Sequence, residues 1–288
     1  MELATLSIQE YNLLNSQSTP LVRSFQSMRN EAKGSYIVQD YDPISLAEMA
    51  GVALLRRMDT KYVLHVEQLF HALSSLREHY YVLQVDGRRM SKYHNLYFDT
   101  LEYGLYYQHH NERSNRFKVR SRQYLDSGIV FLEVKRKNNR GQTIKNRMQV
   151  NNCGHSFSQG QQSFLRQHYP DDPRFLRPVL TNDFMRITLV SKHSVERLTL
   201  DINLQISKDW NQIGFPVLAI AEVKQEHFSL ESRFIQQMRA MNISPQRFSK
   251  YCLGITKLYP RIKQNRFKPR NLMVERIMRQ GGIYGYAA

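Results

Sequence analysis

The sequence predicts an α+β fold, a curled sheet with a charged inner face whose aliphatic outer face is covered by helices. Three observations lead there: strands that alternate charge with aliphatic residues, amphipathic helical stretches around them, and a formal net charge of +16 on 288 residues.

The strands carry the argument. In "RFKVRSRQY", residues 116–124, Arg116, Lys118, Arg120 and Arg122 stand at every second position, and a period of two puts all four on one strand face. At about 7 Å apart and an effective dielectric near 20, each neighbouring pair repels by about 2 kcal/mol, so an anionic partner is required. "VFLEVKRK" sets Phe131, Glu133, Lys135 and Lys137 against Val130, Leu132 and Val134, and "TIKNRMQV" sets Lys145 and Arg147 against Ile144, Met148 and Val150. "ERLTLDINLQI" opposes Arg197, Thr199 and Asp201 to Leu198, Leu200 and Ile202, while "LAIAEVKQE" opposes Glu222 and Lys224 to Ala221 and Val223. A solvated face mixes signs freely, whereas here cations dominate and acids come singly. A sheet curled around a wet lumen explains this best.

The helices follow by their own signals. "SLAEMAGVALLRR" opens with a capping box of Ser45 and Glu48, and "VEQLFHALSSLREHY" repeats apolar residues at Val66, Leu69, Phe70, Leu73 and Leu76. Two more start at Ser229 and Ser249, the latter stopping at Pro260. Residues 1–39 read as a loosely ordered extension, 40–260 as the folded domain, and 261–288 as a basic tail with a short helix from Asn271.

Composition narrows the function. Cys153 and Cys252 are too few for a disulfide framework or a zinc site, and the reading expects a cytoplasmic protein with no signal peptide and no integral membrane segment. No GxxxxGK, GxGxxG, HExxH or GxSxG occurs, which removes the usual support for P-loop, dinucleotide, zinc-protease and hydrolase readings. The 17 tyrosines sit largely in apolar patterns, so nucleic acid is not the expected partner.

"DTKYVLH", "YFDT", "NRFKVRSRQY", "FLEVKRK", "TIKNRMQV", "FMRI", "RLTLD", "AEVK" and "FSKYCLG" together, in this order, resemble the VTC (vacuolar transporter chaperone) polyphosphate polymerase domain of the triphosphate tunnel metalloenzyme superfamily. The resemblance runs from about Arg57 to Gly254. It implies an antiparallel eight-stranded β-tunnel that binds ATP or another triphosphate. With Mn²⁺ or Mg²⁺ it would transfer the terminal phosphoryl group to a polyphosphate chain. Carried over by position, Lys61, Arg120, Arg122, Lys135, Arg186, Arg197 and Lys250 would act on the phosphates, with Lys118, Lys145, Arg116 and Lys224 as further binding cations. Glu222 would hold the metal, and Glu133 is a second candidate ligand; Glu133 and Asp201 serve equally well as salt-bridge partners that hold the basic residues. A triphosphatase of the same fold and a non-catalytic polyphosphate or nucleic-acid binder are the alternatives. Eukaryotic relatives add a sensing domain and membrane helices that the flanking segments do not accommodate, which leaves open a separate membrane partner. Those relatives also have an arginine where this chain has "QHHNER", so His109 and His110 are expected to replace its charge only in part.

Overall fold

The computed structural model describes residues 25–50, 58–140, 142–152, 154 and 156–280. Eight antiparallel strands form the path of one sheet: β2 (Met58–His65), β4 (Ser91–Asp99), β5 (Arg116–Tyr124), β6 (Val130–Lys137), β7 (Thr143–Val150), β8 (Arg177–Ser191), β9 (Glu196–Lys208) and β11 (Leu218–Gln225). Their order is β2-β11-β9-β8-β4-β5-β6-β7, with β1 (Pro43–Ile44), β3 (Tyr80–Leu83) and β10 (Asn211–Phe215) attached off the path. The α+β class and the antiparallel sheet are as expected, but the tunnel is not a closed barrel. Among the described residues β2 and β7 end the path without pairing to each other. A basic cavity is lined by residues of both these edge strands.

The aliphatic faces pack as the alternation predicts. Leu198, Leu200, Ile202, Ala221 and Val223 meet α1 (Phe25–Gln39), α3 (Val66–Ser74) and α6 (Arg233–Ala240), through Val38, Leu69, Phe70, Leu73, Phe234 and Ile235. Val119, Leu132 and Val134 pack with Leu165 of α5 (Gln159–His168). Between β4 and β5 lies α4 (Gly104–His110). The capping box is present, Glu48 Nα donating to Ser45 Oγ at 3.2 Å and Ser45 Nα to Glu48 Oε2 at 2.8 Å, at the start of α2 (Leu46–Ala50). The rest of that expected helix, residues 51–57, lies outside the described residues, as do residues 1–24, Cys153 and 281–288.

One flanking segment corrects the expectation and the other extends it. Residues 25–39 are not loosely ordered but form α1, whose buried face is Ser27, Asn30, Gly34 and Val38. Asn30 Nδ2 donates to Pro216 O at 2.6 Å and Asn203 Oδ1 at 3.1 Å, tying the helix to β9 and the β10–β11 turn. Small and polar residues make that contact, so no apolar stripe announced it. In the basic tail, α8 (Lys268–Gln280) buries Val274 and Ile277 in the core.

The stripe of α7 (Lys250–Leu258) packs inside the curl instead of on the outer face. Tyr251, Cys252 and Ile255 meet Val63, Tyr93, Tyr97, Phe184 and Ile220, which fill the concave face beyond the charged rows. Close approach depends on Gly254. A Cβ there would stand 2.8 Å from Leu180 Cδ2 and 2.9 Å from Ile206 Cγ2. Gly254→Ala is therefore expected to cost about 1–3 kcal/mol in denaturant-unfolding stability through overpacking. An unchanged midpoint would mean that α7 is loosely seated.

Candidate functional site

The alternation delivers the predicted cations to one concave face because neighbouring strands place them in register. Lys118, Lys135 and Lys145 form one row across β5, β6 and β7, and Arg120, Glu133 and Arg147 form the next. On the other side, Lys61 pairs in register with Glu222, Lys224 with Arg197, and Asp201 with Arg186. The sheet curls far enough for Lys135 of β6 to sense Glu222 of β11 and Lys61 and Asp59 of β2.

Three carboxylates organise these charges, each holding two cations. Glu133 accepts from Arg120 Nε at 2.8 Å and Nη2 at 2.7 Å, and its other oxygen pairs with Lys145. Asp201 receives the Arg186 guanidinium in a bidentate pair at 2.6 and 2.7 Å and also Lys250 from α7. Glu222 pairs with Lys61 at 2.5 Å and with Lys224, which also donates to Thr199 Oγ1 at 3.2 Å. Glu133 and Asp201 are almost wholly buried. Although burial alone would raise them, the adjoining Arg and Lys hold all three carboxyls well below the usual carboxylate range. The oxygens of Glu133 and Asp201, which the sequence left open as supporting acids or salt-bridge partners, are engaged by cations.

Other cations lack a carboxylate. Arg122, only 7% exposed, donates from Nε to Asn95 Oδ1 at 2.8 Å and lies over the Tyr93 ring. Lys118 donates to Ser249 Oγ at 3.0 Å, at the start of α7. Lys135 makes no ion pair among the described residues, and burial, with Lys118 and Lys61 nearby, brings its pKa down to about 7 against the pull of Glu222. Burial likewise brings Lys145 to about 8, partly offset by Glu133.

A cavity of about 1030 Å³ opens onto this face, walled by Lys61, Lys118, Lys135 and Lys145, with Arg116, Lys137, Arg140, Arg247 and Arg270 further around it. Its carboxylates are Asp59 and Glu112. Arg120, Arg122, Arg186, Arg197, Lys224, Lys250, Glu133 and Glu222 do not line the cavity. All but Lys250, which comes from α7, occupy the same strand faces beside it, mostly within the ion-pair network. The two histidines separate. His109 lines the cavity and donates from Nε2 to Phe117 O at 3.0 Å; burial and Lys118 keep it neutral. His110 is buried and bonds Asn265. His109, held neutral, does not replace an arginine's charge.

Sequence reasoning missed Asp59, although it stands two residues before Lys61 on the same strand face. It also missed Asn95, Ser249, Phe267 and Arg270; for the last two, no strand alternation could have signalled them. Among the described residues no three His, Cys, Asp or Glu cluster as a metal site. Glu222 fits a metal held by one carboxylate together with ligand oxygens, provided a phosphate takes over Lys61 and Lys224. Glu133 has both oxygens engaged as well, and with its side chain 2% exposed against 18% for Glu222 it leaves less room for an ion.

The VTC domain family model matches residues 56–259. This chain belongs to the VTC domain family. No curated protein matches it in sequence. Among solved structures, a candidate adenylate cyclase from Bacillus halodurans is similar at 16% identity and a TM-score of 0.43, over 71% of this chain and 97% of that one. A candidate adenylyl cyclase from Hippeastrum with a dominant triphosphatase activity is similar at 14% identity and 0.42, over 69% and 96%. One from Vibrio parahaemolyticus stands at 13% and 0.40, over 68% and 95%. No helix among the described residues of this VTC-domain chain is long and apolar enough to cross a membrane.

Two outcomes follow from the charges. Glu133→Gln strands Arg120 and Lys145 beside a neutral amide and should cost about 3 kcal/mol, measured by chemical denaturation at pH 7. Because the folded Glu133 carboxyl is depressed, its stabilisation is present above the ordinary Glu pKa of about 4.3 and fades as pH falls below it. The stability curves of wild type and variant should therefore converge in acid, and parallel curves would contradict the pairing. For Lys135, titrating near 7, a bound polyanion restores the proton. Calorimetry of tripolyphosphate at pH 8 in buffers of different ionisation enthalpy should show proton uptake that vanishes at pH 6, with affinity falling as pH rises through 7.

Proposed function

We propose that this protein is a phosphotransferase that moves the terminal phosphoryl group of ATP, or a related triphosphate, onto the end of an inorganic polyphosphate chain. The observation that supports it is the division of labour on the concave face. Ion pairs to three acids fix one set of cations, while Arg122 beside the cavity and Lys118 and Lys135 in its wall have no carboxylate bound to them, Lys135 regaining its full charge as a polyanion binds. Phosphoryl transfer needs positioning and neutralisation more than covalent help, and a phosphate acceptor brings its own nucleophile. A terminal oxygen of the acceptor forms the new bond to the donor's terminal phosphorus as the bond to the leaving diphosphate oxygen breaks. The departing charge stays within the basic wall, and no proton has to be taken from a hydroxyl.

Arg122 offers a planar guanidinium for phosphate oxygens, fixed through Nε by Asn95. Lys118 and Lys135 supply point charges from adjacent strands, one on each side of the β5–β6 ladder. Lys61 and Lys224 move onto phosphate as Glu222 gives them up. Glu222 would hold Mg²⁺ or Mn²⁺, which neutralises charge on the transferring oxygens when bound.

Purified protein incubated with ATP and manganese should yield long-chain polyphosphate resolvable by electrophoresis. Release of free phosphate alone would make it a triphosphatase, and no consumption a binder. Arg122→Ala should lower turnover by at least a hundredfold with a melting temperature within a few degrees of wild type, because removing one cation relieves repulsion at the site. Full activity in that variant would remove Arg122 from the transfer.

A further inference from the structure

The cavity has two unlike walls. Strands β2, β5, β6 and β7 give the wholly strand-borne cationic one; the other comes from the segment before α7, from α7 and from the chain beyond it, and presents Gln246, Phe248, Leu253, Phe267 and Asn271 alongside Arg247 and Arg270. Phosphate oxygens gain nothing from aromatic and aliphatic carbon. At about 1030 Å³ the cavity also sits at the upper end of the range, about 300–1,000 Å³, that encloses whole organic ligands.

This second wall is built in place. The Phe267 ring is held by Tyr106 and His110, each with ring centres 5.7 Å away, and the Arg270 guanidinium lies over it at 5.5 Å. The Asn271 amide is fixed on both sides, accepting from Thr256 Oγ1 at 3.2 Å and donating to Gln264 Oε1 at 3.3 Å. Phe267, Arg270 and Asn271 all lie past residue 259, where the family match ends. They belong to α8 and the turn before it.

We propose that this wall is the subsite for the nucleoside of a nucleotide donor, with Phe248, Phe267 and Arg270 receiving the base. Planar rings and a guanidinium recognise a base through its π-face, whatever its edge, which makes the subsite selective for nucleotides over inorganic polyanions. The inference rests on the phosphotransfer reading and specifies its donor. A roof over α7 made only for packing would leave the cavity with charge recognition alone. Such a cavity prefers the ligand with more charge, and tripolyphosphate carries more negative charge than the triphosphate of ATP, one end of which is esterified.

The test is calorimetric titration of ATP and of tripolyphosphate, without metal, into wild type, Phe267→Ala and Phe267→Trp. Wild type should bind ATP roughly tenfold or more tighter than tripolyphosphate. Phe267→Ala should abolish that preference while its tripolyphosphate affinity stays within twofold, and Phe267→Trp should keep it. Equal or tighter tripolyphosphate binding by wild type overturns the subsite, as does equal weakening of both ligands in Phe267→Ala. The wild-type comparison decides the matter even if Phe267→Ala fails to fold. Wild type that binds neither ligand overturns the phosphotransfer reading along with it.

Discussion

Everything in this molecule answers one constraint: like charges crowded on the inside of a curled sheet must be neutralised before the sheet can curl. Three buried or half-buried carboxylates do so, each shared by two cations. Glu133 joins β5, β6 and β7 through Arg120 and Lys145; Asp201 joins β8, β9 and α7 through Arg186 and Lys250. Glu222 joins β2 and β11 through Lys61 and Lys224. Burying such groups costs several kcal/mol per ion unless geometry and hydrogen bonds compensate, and the bidentate Arg186–Asp201 pair has that geometry. These acids are the cross-braces of the concave face.

Bracing has a functional consequence. A cation held by a carboxylate keeps its position but has part of its charge already answered, whereas Arg122 and Lys118 have no carboxylate bound and Lys135 has a charge that a ligand can restore. The same desolvation that lowers Lys135 to about 7 makes a phosphate beside it more favourable, since the ligand supplies what burial removed. The unpaired edge strands β2 and β7 both line the cavity, and α7 closes the far part of the curl with apolar side chains.

Much of this was legible because strand alternation is a rigid rule. The charged and aliphatic faces of β5, β6, β9 and β11 could be assigned by alternation, less so that of β7, where Ile144 is exposed, and the motif order located nearly the whole family domain. What stayed hidden shares a physical cause: it depends on contacts between elements, which periodicity does not encode. The α1 face of Ser27, Asn30 and Gly34 looks solvated until Asn203 and Pro216 appear beside it. The α7 stripe reads the same whether it packs outside the sheet or within it. The acids at 133 and 201 carried two roles equally until their oxygens were seen to be occupied. The second cavity wall came from a tail whose charge, not its Phe267, dominated the sequence.

The central claim is that the concave face is a prepaid polyanion site, and the most direct measurement is a crystal structure of the protein with tripolyphosphate. The account predicts a phosphate chain in contact with Arg122, Lys118 and Lys135, with Glu133 still bound to Arg120 and Asp201 still bound to Arg186. A ligand found only on the outer surface, or one that displaces those two carboxylates from their arginines, would contradict it.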